Sequence, residues 1–332
     1  MKTNLKKIVL SSIFLGFSFY CFSINTWQAP KTWFGDPDLQ GVWTNASLTT
    51  LERPDYFDKL IVSPDSAKRL AQETKKNIEA YDNQYEAGET PKGGENVGGY
   101  NIAWMDPGSE LFKINGEYRS SIIIDPENGK LPYSYLKGAM TAWKLWRKYG
   151  KFGTDHPENR TLGERCIVGF GSSGGPPMLS VLYNNHYQFV QSPGYVMILV
   201  EMNHDARIIR INDKHKPNHV KQWMGDSIGY WEDNTLVIET KNMHPQQGFR
   251  ASLRHVFYLS ENAKVIERFT RISDSEIFYQ FSVDDPEVYT QVWTGEMPLK
   301  STSNQIYEYA CHEGNYSMAN ILAGAREEER RN

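Results

Sequence analysis

Lys264-Val265-Ile266-Glu267-Arg268-Phe269-Thr270-Arg271-Ile272, then Ser273-Asp274-Ser275, then Glu276-Ile277-Phe278-Tyr279-Gln280-Phe281-Ser282-Val283, is the stretch on which the fold turns. Two runs rich in β-branched and aromatic residues stand on either side of three residues of turn chemistry, which is the signature of a hairpin. The pattern extends in both directions. Further candidate strands fall at 187–191, 195–202, 206–211, 235–240, 252–259, 288–296 and 304–310, with Glu232-Asp233-Asn234 and Ser260-Glu261-Asn262 among their separators. Short separators make antiparallel neighbours, and a long series of such strands hides its edges by closing. The expectation is a mainly β (α+β) chain with an antiparallel, lipocalin- or calycin-like barrel over about 181–316.

The residues before it, about 35–180, read as a helical elaboration of the same single domain. Asp38-Leu39-Gln40-Gly41-Val42-Trp43 opens as a strand, and Ser120 to Ile124 is a short apolar one. Ser63-Pro64-Asp65 starts a helix, with a Ser N-cap, Pro at the first helical position and an acid in the first turn. Ala67, Leu70, Ala71, Thr74, Ile78 and Tyr81 follow at helical spacing. A second flanking helix is expected over Ser134 to Tyr149, with Leu136, Ala139, Met140, Trp143 and Trp146 inward. Residues 88–99 and 150–180, rich in Gly and Pro, read as irregular.

Met1 to Ser23 reads as a secretory signal: Lys2, Lys6 and Lys7 precede the apolar run Ile8 to Phe22. The mature domain then covers 24–332 and resides in the periplasm, with no membrane insertion once the signal is removed. Of 332 residues, 36 are Lys or Arg and 40 are Asp or Glu, so losing three lysines takes the charge from −4 to 33 − 40 = −7. That balance argues against a nucleic-acid partner, whose grip needs a basic face. Cys166 and Cys311 remain, either as a disulfide or as two thiols, since spacing alone does not say whether their Cα atoms approach.

Motifs with chemistry are few. Gly169-Phe170-Gly171-Ser172-Ser173-Gly174-Gly175 matches both a dinucleotide fingerprint and a nucleophile elbow. Each requires a helix directly afterwards, and Pro176-Pro177 argues against one, so the segment reads as a loop. No H-E-x-x-H or C-x-x-C spacing is present. His186, His204, His255 and His312 adjoin predicted strands and suit acid–base work near neutral pH. His215 and His219 sit in a Lys/Pro/Asn loop and read as solvated. Arg119, Arg207 and Arg250 are candidates for holding a carboxylate.

Several stretches resemble a family of secreted, largely uncharacterised bacterial proteins over roughly residues 35–326. They are Gly99-Tyr100-Asn101 with Trp104, Arg119-Ser120-Ser121-Ile122-Ile123-Ile124-Asp125-Pro126, Gly163-Glu164-Arg165-Cys166, and Gly175-Pro176-Pro177-Met178 leading to Tyr183-Asn184-Asn185. Glu201-Met202-Asn203-His204-Asp205-Ala206-Arg207-Ile208, Gln222-Trp223-Met224-Gly225-Asp226-Ser227, Glu267-Arg268-Phe269-Thr270-Arg271 and Tyr307-Glu308-Tyr309-Ala310-Cys311-His312-Glu313-Gly314-Asn315 complete the set. The resemblance implies dehydration of uronate-ended oligosaccharides from the algal polysaccharide ulvan, and it carries over no catalytic residues.

The chemistry itself suggests roles. A base takes the C5 proton (His204 or His312, with Tyr187 as substitute), an acid protonates the departing C4 hydroxyl (Tyr187 or the second histidine), and Arg207, Arg119 or Arg250 neutralises the carboxylate. Asn184, Asn185 and Trp223 would orient the sugar. His204, Arg207 and His312 are expected at one barrel mouth, with His312 ending the last strand. No organic cofactor is required, and the scheme admits a divalent ion. The alternative is a non-catalytic, lipocalin-like carrier of a glycan or small molecule.

Overall fold

A computed structural model describes residues 27–82, 105–134, 136, 140, 143, 153–169, 171–253 and 255–331. The signal segment, the loop 88–99, Gly99, Tyr100, Asn101, Trp104, Ala139 and Trp146 lie outside the described residues. The hairpin at 264–283 forms as read and sits within a closed barrel of nine strands. In chain order these are β1 (Gly41–Thr44), β2 (His186–Ser192), β3 (Tyr195–Val200), β4 (Ala206–Ile211), β5 (Asp226–Glu232), β6 (Thr235–Lys241), β7 (Lys264–Ser273), β8 (Glu276–Asp284) and β9 (Trp293–Ser301). Each pairs with the next, and β9 returns to β1 through Trp43 opposite Ser301 and Thr44 opposite Lys300.

The sheet is mixed, which corrects the antiparallel expectation. Strands that alternate in direction cannot close a ring of nine, so at least one neighbouring pair must run parallel. That pair is β4–β5, with Arg210 opposite Ile228. Residues 212–225 carry the chain back along the barrel's outside to start β5 at the end where β4 began. Eight strands running up and down would be the lipocalin order; here a short strand from the N-terminal region supplies the ninth. Four strand positions also differ from expectation, the first being β5 at 226–232, where the sequence pattern gives no strand. The last strand is 293–301 rather than 288–296, residues 304–310 form no strand, and 252–259 becomes a separate hairpin of Phe249–Ser252 against His255–Tyr258.

Alternate residues of the strands fill the lumen. On β7 and β8, Val265, Phe269, Ile277, Tyr279, Phe281 and Val283 are buried and their neighbours are not, the period-two pattern of a small packed barrel. Trp43, Tyr187, Phe189, Ile198 and Met297 join them in one core. The end of the barrel at which β2, β4 and β5 begin (the upper end) is covered by residues 171–185, where Ser172 N–H bonds Ala251 O and Met178 N–H bonds the Tyr279 hydroxyl. No helix follows the glycines of this segment.

The N-terminal elaboration packs outside. Helix α1 (Pro64–Asp82) is capped by Ser63, whose Oγ accepts the Ser66 N–H at 3.3 Å. Ala67, Leu70 and Ala71 lie against Leu48, Val62 and Leu111. The second expected helix is helical at Leu136, Met140 and Trp143, but these side chains are exposed (74, 54 and 52 %), not inward. A helix not anticipated from the sequence, α2 (Tyr316–Arg331), ends the chain. It follows the Cys166–Cys311 disulfide, which fastens the post-barrel segment to residues 160–167. No helix among the described residues is long and apolar enough to cross a membrane.

Candidate functional site

β4 alternates like every barrel strand, and that alternation separates the residues expected to act together. Arg207 points inward and is fully buried, with both Nη atoms on the carboxylate of Glu267. Tyr279 donates its hydroxyl to Glu267 Oε1 at 2.8 Å. Burial opposes the arginine's charge, yet the Glu267 carboxylate outweighs it and the pKa of Arg207 is raised. Tyr187 is buried in the same interior, where Asn45 Nδ2 donates to its hydroxyl at 3.0 Å. Burial drives its pKa up, so the phenol holds its proton.

In the turn from β3 to β4, Glu201 to Asp205, the side chains of Glu201, Met202 and Asn203 are buried. His204 is exposed, with φ at 45°. Glu201 and His186 instead form a buried pair: Nδ1 of His186 lies 2.8 Å from Glu201 Oε2. The Glu201 hydrogen bond lifts the imidazole's pKa despite burial. For Glu201, burial pushes the pKa up, but the His186 bond and the Tyr307 N–H bring it below the usual range. The Nδ1–H donated to Glu201 leaves Nε2 as the acceptor, and the Asn304 amide stands 3.4 Å from it. Asp205 Oδ2 accepts the Gly169 N–H at 2.7 Å. Burial nevertheless raises its pKa.

Outside the barrel, the returning segment 212–225 stands over the outward face of β4 and encloses a cleft of about 630 Å³. Its lining includes Ala206, Arg207, Ile208, Arg210, Lys216, Lys221, Trp223, Met224, Asp226 and His244. Gly225 makes the approach to β5 possible: its φ is +75°, and a Cβ there would lie 2.6 Å from Thr240 Cγ2. Trp223 rests on His244, ring centroids 3.9 Å apart. The imidazole's Nδ1 accepts the Gln246 N–H at 3.2 Å, so the neutral ring carries its proton on Nε2. Arg210 holds Asp226 at 2.8 Å and Asp213 at 2.6 Å. Burial works against the Asp226 charge, but Arg210, the Lys216 N–H and His215 together bring its pKa to about 2.

His215 is not solvated as expected. It bridges Asp226 at 2.9 Å and Glu239 at 3.1 Å. Lys216 and Lys221 complete the rim, donating to Gln222 and to Glu261 O. Arg210, Lys216 and Lys221 thus line the cleft together with Trp223 and His244, with Asp226 and Asp213 paired to Arg210 and Glu261 paired to Lys221.

The remaining sequence candidates scatter. Arg119 is buried on the outer side of β9 between Glu117 and Glu296, at 3.0 and 3.3 Å. Asn184 takes a left-handed turn at φ 55°. Asn185 is structural, tying Val181 N–H, Val181 O and Asp106 O. His312 is exposed in a turn beyond the last strand, so it does not end β9. Arg250 is buried in the hairpin over the upper end. Of the set, only Trp223 and Arg207 line the cleft, and sequence reasoning missed His244 and the His186–Glu201 pairing. No group of three or more His, Cys, Asp or Glu among the described residues is arranged to hold a metal ion. Compared with models of protein families, with curated proteins and with solved structures, the chain matches none.

Proposed function

We propose that the protein is a periplasmic carbon–oxygen lyase that removes water from the terminal uronate of an acidic, ulvan-type oligosaccharide, and that the sugar lies in the cleft. One observation carries the reading: the Trp223–His244 aromatic pair and the cations Arg210, Lys216 and Lys221 line one space of about 630 Å³. A sugar ring needs an apolar face to lie on and a few directed polar groups, and a carboxylate needs cations. The leading segment Met1–Ser23 supports export, and the family resemblance supports the substrate class.

Elimination takes the C5 proton and expels the C4 hydroxyl as water, leaving a 4,5-unsaturated uronate. Cations beside the carboxylate stabilise the enolate-like state. Of the histidines, His244 lines the cleft, and with Nδ1 accepting the Gln246 N–H it carries its proton on Nε2, the tautomer suited to protonate the departing hydroxyl. No organic cofactor enters the scheme. The packed lumen gives a lipocalin-like carrier role little room, so a non-catalytic reading also uses the cleft.

The test is incubation of the purified protein with uronate-ended oligosaccharides, following loss of one water by mass and the ultraviolet absorbance of the unsaturated product. His244→Ala should lower turnover by roughly 10²-fold or more, the usual share of a general acid or base. Binding without turnover in the wild type would leave a glycan-binding protein, and neither binding nor turnover would overturn the proposal.

A further inference from the structure

Resting on the reading of the cleft as an acidic-sugar site, we infer that Arg250, together with Arg207, forms an oxyanion subsite behind the cleft floor, built to receive the carboxylate of the sugar. Arg250 is 1 % exposed. Its Nη1 donates to Gly175 O at 3.1 Å, and its Nη2 meets only the Met243 thioether, 3.7 Å away. Its Nε is buried with no partner among the described residues, and so is the Nε of Arg207. No carboxylate pairs with Arg250 among the described residues; the charged group it senses is Arg207, which repels it.

The charge arithmetic is simple. Among the described residues, the two guanidinium groups of Arg207 and Arg250 stand beside one paired carboxylate, Glu267. Burial and the neighbouring cation pull the Arg250 pKa down to about 9, which still leaves it charged at neutral pH. A buried, uncompensated cation is costly, and so are buried donors with nothing to bind. An oxyanion accepting from the free Nε–H groups relieves both costs at once.

The subsite adjoins the cleft. Met224 and Gly225 form part of the cleft lining, and Met243 lies directly behind Gly225: a Cβ at that glycine would be 3.2 Å from Met243 Cγ. A Cβ at Gly174, the neighbour of the carbonyl that Arg250 grips, would be 3.0 Å from Met224 Sδ. Two thioether side chains thus separate the buried cation from the sugar platform. Methionine turns about three bonds at little cost and repacks readily, so rotation of Met224 and Met243 admits a carboxylate without disturbing the barrel.

Calorimetry on the mature protein tests this, with a uronate-ended oligosaccharide and its carboxyl-reduced counterpart as probes. The wild type should prefer the acid by about ten- to a hundredfold, the range of one charge-assisted hydrogen-bonding group. Arg250→Met should lose that preference while keeping its affinity for the neutral sugar, and Arg250→Lys should keep part of it. A second arm needs no sugar and no variant: acetate and sulfate should move the buried arginine Nε–H resonances of the wild type in nitrogen-15 spectra, whereas chloride at equal ionic strength should move them less. If the wild type binds neither sugar but its Nε–H signals respond to acetate, the cleft reading fails and the subsite stands. If Arg250→Met retains the acid preference, or the Nε–H signals ignore every oxyanion, the inference is overturned.

Discussion

Glu267→Ala removes the carboxylate that Arg207 grips inside the barrel, and the structure sets the size of the effect. Arg207 and Glu267 have side chains 1 % and 0 % exposed, and their bidentate contact is completed by the Tyr279 hydroxyl. Deleting one partner of a buried pair leaves the other charged and unsolvated, at about 3–5 kcal/mol. The Tyr279 hydroxyl loses its acceptor as well, which adds roughly 1 kcal/mol. The expected loss is therefore about 4–6 kcal/mol, or about 8–12 °C at about 2 °C per kcal/mol for a domain of this size. Urea unfolding followed by tryptophan fluorescence, in oxidising buffer so that Cys166–Cys311 stays closed, measures it. The double variant Arg207→Met/Glu267→Leu should recover most of the loss, because apolar groups of similar volume fill the space without a stranded charge. A cost for Glu267→Ala below about 1 kcal/mol, or a double variant no better than the single, would refute a dry, charge-paired barrel interior.

Three further outcomes follow from the same geometry. His186 is held above its ordinary 6.5 and Glu201 below its ordinary 4.5, so their mutual stabilisation is complete between those values. It is lost as pH rises through the raised His186 pKa, and again as pH falls through the lowered Glu201 pKa. The gap in melting temperature between wild type and His186→Gln should be widest in that window and should narrow on either side; a gap independent of pH contradicts the pairing. The Cys166–Cys311 bond closes a loop of 145 residues, an entropy of up to about 5 kcal/mol in the chain model. Cys311→Ser should therefore lower the melting temperature and expose residues 302–331 to limited proteolysis, and unchanged resistance would show that the clasp is not what holds that segment. Trp223→Ala should weaken oligosaccharide affinity roughly threefold to tenfold, the worth of one aromatic contact, as read by calorimetry; undiminished affinity would remove Trp223 from the platform.

What the sequence disclosed is what local chemistry encodes. The hairpin at 264–283 is legible because turn and strands are contiguous, and Ser63-Pro64-Asp65 marks its helix because a cap acts within one turn. Closure is not local. Gly41–Thr44 meets Lys300 and Ser301 from the far end of the chain, and nothing in four residues announces that partner or the odd strand count that follows from it. The return of 212–225 along the outside, which makes both the parallel pair and the cleft, reads in sequence as an ordinary polar loop. The grouping of the site is less legible for a related reason. In Glu201 to Arg207 only the strand's facing separates an outward His204 from an inward Arg207, and the Arg207 partner is 60 residues away. His186 stands out in the sequence as an imidazole; its carboxylate, 15 residues on across a hairpin, does not. His244 follows β6 in a Pro-Gln-Gln turn with no motif around it, and its contact with Trp223 exists only after β5 and β6 pair.

A crystal structure of His244→Ala, slowed in turnover and soaked with a uronate-ended oligosaccharide, would locate the bound sugar. The expected result is a sugar ring lying over Trp223 in the cleft between β4 and residues 212–225, its carboxylate directed to the cleft floor behind which Arg250 lies. A ring bound inside the barrel, or at the exposed His204 and His312 with the cleft empty, would contradict it.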